Sequence, residues 1–547
     1  MEIRELPRHP NLEQYKKQAK ELVKNRRSGD PAVIQLITQY HPKFRSIPSA
    51  DVPSASFILA DAQLVIARRH GFESWTKFAR QIESIRRERS ALLSTDPVAA
   101  FIEAACVPVE GYHGDGTLES AESILAEHPE VASASIYTAA ILGDDAGVRR
   151  FLALDQNNAK AKGGLHGWDA LTYLCFSRYL RLDRARSAGF VRAAEALLDG
   201  GASANTGWYD NTGEPRPYWE AAIYGAAGVA YHPEMTRLLL ERGADPNDEE
   251  TPYHIPETYD LTLLRIVVES GRLNETSLTT LLLRKADWHD LNGIRYLLEH
   301  GADPNRMTIW RHTALHQALR RDNGIEIIEA MLDHGADPAL VNGREGRSAT
   351  AMAAWRGRGD VLHSIEQRGI PSGLQGIDEL IAACAKNDRE SIAAIIGREP
   401  HLVHELLATS GTLLAEFAGN GNTDGLSRLL DLGVNVAERY KEGDPYFEIA
   451  KDSTALHVAA WRARHATVDF LIERGATVNM TDIRGRTPID LAVKACVDSY
   501  WKGSRTTESI ECLLGAGASI DNIQLPTGYP EADELIRRYR VSGSSHG

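Results

Sequence analysis

Several histidines of the chain stand at spacings that catalytic or metal-binding histidines use. His312 and His316 are four residues apart, which would place two imidazoles on one face of a helix, as zinc ligands require. No third ligand follows nearby, and His404-Glu-Leu-Leu-Ala408 lacks the second histidine of a zinc-protease motif. His316 and His457 each stand fourth in a Thr-x-Leu-His phrase, where an imidazole can bond back to the start of its helix. We therefore predict structural histidines and no metal site.

Motifs for nucleotide binding and nucleophilic catalysis are also missing. Gly419-Asn-Gly421, followed by Gly425, has the spacing GxGxxxG rather than GxGxxG, and no strand pattern precedes it. The sequence contains no Walker A phrase and no Gly-x-Ser-x-Gly elbow. Its 5 cysteines lie far apart, so they predict neither a disulfide framework nor a zinc pair. These observations predict no cofactor and no catalytic residue.

Aromatic and arginine residues at matched positions indicate binding rather than catalysis. Trp355-Arg356 and Trp461-Arg462 both follow two alanines near the end of a short helical pattern. Tryptophan, tyrosine and arginine are the residue types that anchor protein interfaces. The predicted partner-binding residues are Trp168, Phe176, Arg178, Trp208, Tyr209, Trp219, Trp310, Trp355, Arg356, Tyr446, Trp461 and Arg462. The alternative interpretation is that these rings fill gaps between neighbouring elements.

The elements that would position these residues follow an internal repeat. A phrase of the type Gly-Ala-Asp-Pro-Asn recurs along the chain. Its copies begin at Gly201, Gly243, Gly301, Gly335, Gly433, Gly475 and Gly517. Glycine supplies the left-handed end of a helix, and Asp, Pro and Asn then favour a turn. The recurrence predicts an array of similar units.

Two helical patterns stand between successive phrases. The first begins at a capping threonine and contains small alanine side chains, as in Thr313-Ala-Leu-His-Gln-Ala318 and Thr454-Ala-Leu-His-Val-Ala459. The second is apolar, as in Ile294-Arg-Tyr-Leu-Leu-Glu-His300, and ends at the glycine of the phrase. Small residues on the first helix and leucines on the second allow neighbouring pairs to stack.

This pattern resembles the ankyrin repeat, whose period is about 33 residues with a T-P-L-H-x-A signature. Some further phrases, such as Gly167-Trp-Asp-Ala-Leu-Thr172, resemble bacterial ankyrin proteins. The resemblance implies an all-α fold: an ankyrin-repeat solenoid of helix-turn-helix units with finger loops, capped by a small N-terminal helical module. It also implies that first helices and fingers form a concave binding side, which carries the aromatic and arginine set.

We expect three parts. Residues 1–90 form a basic helical module or cap, residues 91–525 form about eleven or twelve repeats, and residues 526–547 form a C-terminal capping helix and tail. Four insertions enlarge the repeats, near 177–190, 206–220, 438–452 and 496–508. Insertions in such arrays map to loops, which often carry function.

The charge of the chain changes at the end of the predicted module. Residues 1–90 hold 17 Lys/Arg and 10 Asp/Glu, whereas the remainder holds 44 and 65, within a net charge of −14. The basic face of the module favours a cap with a solvated surface over a nucleic-acid contact. The acidic remainder favours a basic partner surface.

Composition and patterning indicate a soluble class of protein. Hydrophobic residues make up 43% and charged residues 25%, and no apolar run is long enough for a membrane span. We expect a cytoplasmic monomer that binds a protein partner without catalysis, and neither nucleic acid nor a membrane. The alternative is an enzyme or a small-molecule sensor with a pocket formed by the insertions.

Overall fold

The computed structural model describes residues 4, 6, 10–26, 30–44, 47–55, 57–83, 95–109, 112–210, 217–497 and 505–543. Their contacts divide the chain into two compact units, Met1–Ser277 and Leu278–Gly547. Both units are mainly helical, as the sequence predicts. No helix within these ranges is long and apolar enough to cross a membrane.

The N-terminal helices form a core of their own. They are Leu12–Asn25, Pro31–Tyr40, Leu59–Arg69 and residues 75–83, with a short 3-10 turn at Pro42–Phe44. Tyr15, Phe44 and Phe78 are buried together there, and Trp75 packs against them. The sequence pattern predicts that the fourth of these helices runs from Trp75 to Arg89, and its part beyond residue 83 lies outside the described residues.

The rest of the first unit consists of short helices and two small hairpins. Its helices are Pro97–Ala105, Glu119–Glu127, Ile136–Ile141, Asp145–Leu154, Ala170–Cys175, Arg178–Leu182, Ser187–Asp199, Ala222–Tyr224, Pro233–Glu241, Glu250–His254 and Thr262–Glu269, with a π-helical turn at Gly225–Val229. Short 3-10 turns lie at Pro129–Ser133, Gln156–Ala159, Arg184–Arg186 and Ile255–Glu257. The antiparallel strand pairs are Lys162–Gly163 with Trp168–Asp169, and Gly207–Asp210 with Tyr218–Ala221. The helix Glu275–Asp287 contains the boundary between the units.

Helix pairs also build the second unit. They are Leu291–Glu299, Ala314–Arg320, Ile325–Asp333, Ala349–Trp355, Gly359–Gln367, Gly376–Ala385, Arg389–Arg398, His401–Ala408, Ser410–Asn420, Thr423–Asp431, Ala455–Trp461, His465–Glu473, Pro488–Val497, Glu508–Gly515 and Pro530–Gly543. One two-residue strand pair joins Arg439–Tyr440 to Ser453–Thr454. The insertion near 496–508 lies partly outside the described residues.

In both units the repeated Gly-Ala-Asp-Pro-Asn phrase ends a helix and forms hydrogen bonds to the next copy. Each of its seven glycines has φ between +83° and +98°, a backbone conformation that side chains disfavour, so the predicted helix ends are confirmed. Its terminal asparagine then bridges to the next copy. Asn305 donates to the carbonyl of Gly335 at 2.8 Å and accepts the N–H of Asp337 at 2.7 Å. Asn205 makes the same two bonds to Gly243 and Asp245.

Candidate partner-binding site in the finger loops

The repeat-position histidines are structural, as the sequence predicts. Nδ1 of His316 lies 2.7 Å from Oγ1 of Thr313, and Nδ1 of His457 lies 2.8 Å from Oγ1 of Thr454. Burial lowers the pKa of His316 and lowers that of His457 to about 4, so both imidazoles are neutral at pH 7. Within the described ranges, no group of three or more His, Cys, Asp or Glu residues could hold a metal ion.

Three predicted binding residues of the first unit form a buried aromatic cluster. Trp168, Phe176 and Trp208 are each at most 8% exposed. The Trp168 and Trp208 rings stack at 5.0 Å between centroids, and Phe176 lies 6.0 Å from Trp208. His113, from the loop after the first repeat helix, meets the Trp208 ring at 5.7 Å. The structure therefore brings these rings together in the interior rather than on a surface.

A buried glutamate beside this cluster is held neutral. Glu220 is 3% exposed, and burial followed by repulsion from Glu250, Asp210 and Asp248 raises its pKa to about 9. One of its carboxyl oxygens has no hydrogen-bond partner among the described residues. His113 lies 3.8 Å away and is neutral too, since burial lowers its pKa to about 4.

The remaining predicted residues of the first unit lie nearer its surface. Tyr209 is 62% exposed and faces half-buried Trp219 across the hairpin, with ring centroids 4.7 Å apart. Half-buried Arg178 donates to the carbonyl of Ala104 at 2.6 Å, which ties its guanidinium to the preceding repeat. The hairpin thus presents one aromatic pair to solvent.

In the second unit, two repeat-equivalent arginines converge on one buried carboxylate. Arg356 donates to both oxygens of Asp322, at 2.8 and 2.9 Å, and Arg462 forms a second ion pair with the same group. The Asp322 side chain is 2% exposed. Burial opposes its ionisation, but the charges of Arg356 and Arg462 lower the Asp322 pKa to about 2. Arg462, 3% exposed, is therefore part of the interior.

Trp461 is also an interior residue. It is 4% exposed, and its indole N–H donates to the carbonyl of Phe447. Tyr440, Phe447 and Ile449 of the 438–452 insertion belong to the same core cluster. At this position the ring fills the space between a repeat and an insertion, which is the alternative interpretation that the sequence left open.

A cavity of about 260 Å³ lies between finger loops of the second unit. It is lined by the predicted residues Trp355, Arg356 and Tyr446 and by Arg320, Arg321 and Arg347. Trp355 is half-buried, and its indole N–H donates to Asp378 at 2.6 Å. Tyr446, 41% exposed, stands at the tip of the 438–452 insertion. These are the predicted residues that the structure brings together at an accessible site.

Aromatic rings hold two of the lining arginines in place. The guanidinium carbon of Arg321 lies 3.3 Å from the centroid of the Tyr446 ring, and that of Arg347 lies 4.0 Å from the Trp355 ring. A guanidinium stacked on a ring keeps its N–H groups in the plane, where they can reach a planar anion. The cavity wall therefore contains two guanidinium groups that aromatic rings orient.

Exposed apolar side chains stand at equivalent sequence positions in several fingers of the second unit. Met307 and Val341 each stand six residues after the glycine of their phrase, and they are 39% and 56% exposed. Ile309 and Ile483 each stand four residues before the threonine that begins the next helix pattern, and they are 71% and 64% exposed. Half-buried Trp310 lies in the same finger as Ile309.

Backbone hydrogen bonds connect neighbouring fingers. The N–H of Gly343 donates to the carbonyl of Arg311 at 2.8 Å. The N–H of Ile483 donates to the carbonyl of Lys451 at 3.1 Å. We name Met307, Ile309, Val341, Tyr446, Ile483 and the residues lining the cavity the finger surface. The two backbone bonds join its fingers in two pairs.

Sequence reasoning missed several residues of this site. Arg320-Arg321 occupy the same position after a first helix as Trp355-Arg356, which is a signal that alignment of the repeats contains. Asp322 follows directly, and nothing local marks it as the partner of Arg356 and Arg462. Glu220 was also missed because its burial depends on a hairpin and on distant helices.

Sequence models of ankyrin repeats match two parts of the chain. Residues 310–343 match a single ankyrin repeat, and residues 380–482 match a model of three ankyrin repeat copies. These matches agree with the paired helices, left-handed glycines and asparagine bridges described above. The chain therefore contains ankyrin repeats in these stretches.

Two curated proteins are similar to parts of the chain. Human transient receptor potential cation channel subfamily A member 1 is 23% identical over 271 residues, which cover 43% of this chain and 23% of the channel. Protein glp-1 of Caenorhabditis elegans is 29% identical over 204 residues, covering 36% of this chain and 13% of glp-1. The chain thus spans less than a quarter of either relative.

Two solved structures are similar to part of the chain. The human ASB11 ankyrin repeat domain is 20% identical and covers 44% of this chain and 98% of that domain, with a TM-score of 0.21. The ankyrin repeat domain of Bcl-3 is 19% identical and covers 43% of this chain and 97% of that domain, with a TM-score of 0.19.

Proposed function

We propose that the protein is a non-catalytic recognition scaffold and that the finger surface binds a protein partner. Ankyrin repeats generally mediate protein–protein interaction. One observation carries the assignment to this surface: the fingers of the second unit combine exposed apolar side chains at equivalent positions with a cavity that arginines and aromatic rings line. Contiguous exposed apolar groups and Trp, Tyr and Arg anchors are typical of interfaces.

The fixed fingers support binding with little loss of conformational freedom. Backbone bonds between neighbouring fingers and stacked guanidinium groups order the surface in advance. Preorganisation increases affinity because fewer side chains must be immobilised on association.

The proposal narrows the predicted set of anchors. Trp355 and Tyr446 lie at the cavity and can contact a partner, whereas Trp461 and Phe176 are interior residues whose contribution is to hold their loops. Tyr209 and Trp219 offer a separate, smaller contact on the hairpin of the first unit.

Affinity capture from cells that produce the protein tests this function. We expect the tagged wild-type chain to enrich a defined partner and the Trp355→Ala/Tyr446→Ala double variant to lose at least tenfold of it, by quantitative mass spectrometry. Leu154→Ala, at a side chain that is 76% exposed in the first unit, is the matched control and should capture the partner as the wild type does. Equal recovery by a folded double variant would refute the assignment.

A small-molecule sensor is the second candidate. The observation that favours it is the cavity itself, since residues of the 438–452 insertion form one of its walls. Its volume lies just below the range of about 300–1,000 Å³ that ligand sites occupy. A thermal-shift screen against metabolites distinguishes the two: a hit that raises the melting temperature of the wild type, but not of Tyr446→Ala, favours the sensor.

A further inference from the structure

Four arginines and three acidic residues line the cavity of the second unit. The arginines are Arg320, Arg321, Arg347 and Arg356, and the acidic residues are Glu345, Glu416 and Asp444. The lining residues thus carry one more positive than negative formal charge, although the chain as a whole carries −14. The net charge of the chain therefore does not describe the charge that a ligand meets in this cavity.

Two of the arginines already have strong partners. Nε of Arg321 donates to Asp287 at 2.6 Å. Arg356 is bound by Asp322, as described above, and lies 3.2 Å from Glu416. Their charges are compensated within the protein, and their remaining role at the cavity is to shape its wall.

The charges of the other two arginines are less fully compensated within the protein, so they are available to a ligand. Arg320 approaches Glu345 only to 3.7 Å, and burial together with the repulsion of Arg344 lowers the Arg320 pKa. Arg347 makes no ion pair with any residue that the structure describes, and it stacks on Trp355. A carboxylate placed between them would gain charge-assisted hydrogen bonds from two guanidinium groups.

The acidic residues of the wall indicate what else the ligand must carry. Asp444 accepts the backbone N–H of Tyr446 at 2.9 Å, and Glu416 accepts the hydroxyl of Tyr440 at 3.4 Å. Carboxylates are acceptors with several lone pairs, so both can take further N–H donors. A polypeptide supplies side-chain carboxylates and backbone N–H groups together, whereas an inorganic anion supplies no N–H donor.

We propose that this cavity receives an acidic side chain, aspartate or glutamate, from a segment of the protein partner, with Arg320 and Arg347 binding its carboxylate. This inference rests on the proposed function, and it specifies the chemistry of the partner. The cavity volume of about 260 Å³ suits one or two side chains.

A random 12-residue peptide library displayed on phage, selected on the full chain, tests the proposal. We expect the enriched peptides to share an aspartate or glutamate, and synthetic copies with Asn or Gln at that position to bind at least tenfold more weakly by fluorescence polarisation. Arg347→Gln and Arg320→Gln should each weaken the acidic peptide at least tenfold. Arg295→Gln, at an exposed arginine away from the cavity, is the matched control and should bind the peptide as the wild type does.

Folding and the source of the carboxylate are controlled separately. Melting temperatures identify any variant that fails to fold, and Arg347→Lys, which keeps the charge without the planar fork, should bind with intermediate affinity. Free glutamate should displace the peptide only at concentrations far above the peptide's Kd. Displacement by free glutamate at a concentration comparable to that Kd would overturn the polypeptide source and favour the sensor.

The remaining outcomes separate this inference from the proposed function. Peptides that need Trp355 and Tyr446 but bind Arg347→Gln and Arg320→Gln normally would overturn the acidic chemistry and leave the finger surface as the binding site. Enriched peptides without acidic residues, or no enrichment at all, would also overturn the inference, while affinity capture would still decide the proposed function.

Discussion

The two units each bury a carboxylate, and the two carboxylates are in opposite protonation states at pH 7. Asp322 in the second unit lies between Arg356 and Arg462, and its pKa of about 2 keeps it charged. Glu220 in the first unit lies among acidic and aromatic side chains, and its pKa of about 9 keeps it protonated. Burial acts on both groups in the same direction, so the nearby charges decide the outcome.

The same contrast extends to the loops around them. In the first unit, the rings of Trp168 and Trp208 are buried near the neutral glutamate, whereas Tyr209 stays exposed on the hairpin. In the second unit, charged groups hold the fingers, and Trp355 and Tyr446 stand beside a cavity. The comparison teaches that a loop insertion can either bury its aromatic rings or leave some of them beside a cavity.

Removal of the charge of Asp322 should have the largest effect on stability. Asp322→Asn leaves Arg356 and Arg462 buried without their shared carboxylate, which costs about 3–5 kcal/mol of unfolding free energy when a buried ion pair is broken. Urea unfolding followed by circular dichroism measures the loss. Asp469→Asn, at an exposed helix position, is the control and should change little. A loss below about 1 kcal/mol would mean that the network tolerates unpaired arginines and that the contrast with Glu220 is unfounded.

Replacement of Glu220 by a side chain that is neutral at every pH should raise stability, the opposite direction to Asp322→Asn. Its folded pKa of about 9 exceeds the ordinary glutamate value of 4.5, so the stability that the protonated group contributes is present at low pH and declines as pH rises from 4.5 towards 9. Glu220→Gln should therefore stabilise the chain by about 3 kcal/mol at pH 7 and by less than about 1 kcal/mol at pH 5. Unfolding at both pH values, followed by tryptophan fluorescence, measures the difference.

Two further results sharpen this test. His254 lies between Glu250 and Glu257, and although burial opposes its charging, these carboxylates raise its pKa to about 9. The stability that charged His254 contributes is complete below the ordinary histidine pKa of 6.5 and declines as pH rises through 9. The Glu220→Gln variant should therefore still lose some stability as pH rises above 6.5, because His254 is unchanged in it. Glu241→Gln, on an exposed helix face, should leave the pH profile unchanged. A profile of Glu220→Gln parallel to that of the wild type would contradict the neutral glutamate.

Local features of the fold could be predicted from the sequence, and the charge network could not. Glycine ends a helix because of its own backbone freedom, and His316 bonds to a threonine three residues away, so both can be recognised locally. Asp322 depends on Arg356 and Arg462, which lie 34 and 140 residues further along the chain. Tyr446 and Phe447 are neighbours in one insertion, yet one is exposed and the other buried, because packing against Trp461 decides between them.

The asparagine bridges should contribute equally in the two units. Asn305→Ala and Asn205→Ala each remove one donated and one accepted hydrogen bond between neighbouring copies of the repeated phrase. We expect each substitution to lower the free energy of unfolding by about 1–2 kcal/mol, since the bonds are partly exposed to water. Hydrogen exchange at Asp337 and Asp245 gives the local readout. A large effect in one unit alone would show that the units differ in their repeat geometry as well as in their buried charges.

The smallest stability effects should come from the finger surface. Ile309 and Ile483 are 71% and 64% exposed, so Ile309→Ser and Ile483→Ser remove little buried apolar area and should change unfolding free energy by less than about 0.5 kcal/mol. Trp168→Ser in the closed loops of the first unit should cost about 3–5 kcal/mol, because its ring is buried. If the serine variants keep their melting temperatures and lose partner capture, these isoleucines of the finger surface contact the partner. A marked loss of stability would instead mean that these isoleucines support the loops, as Trp168 does.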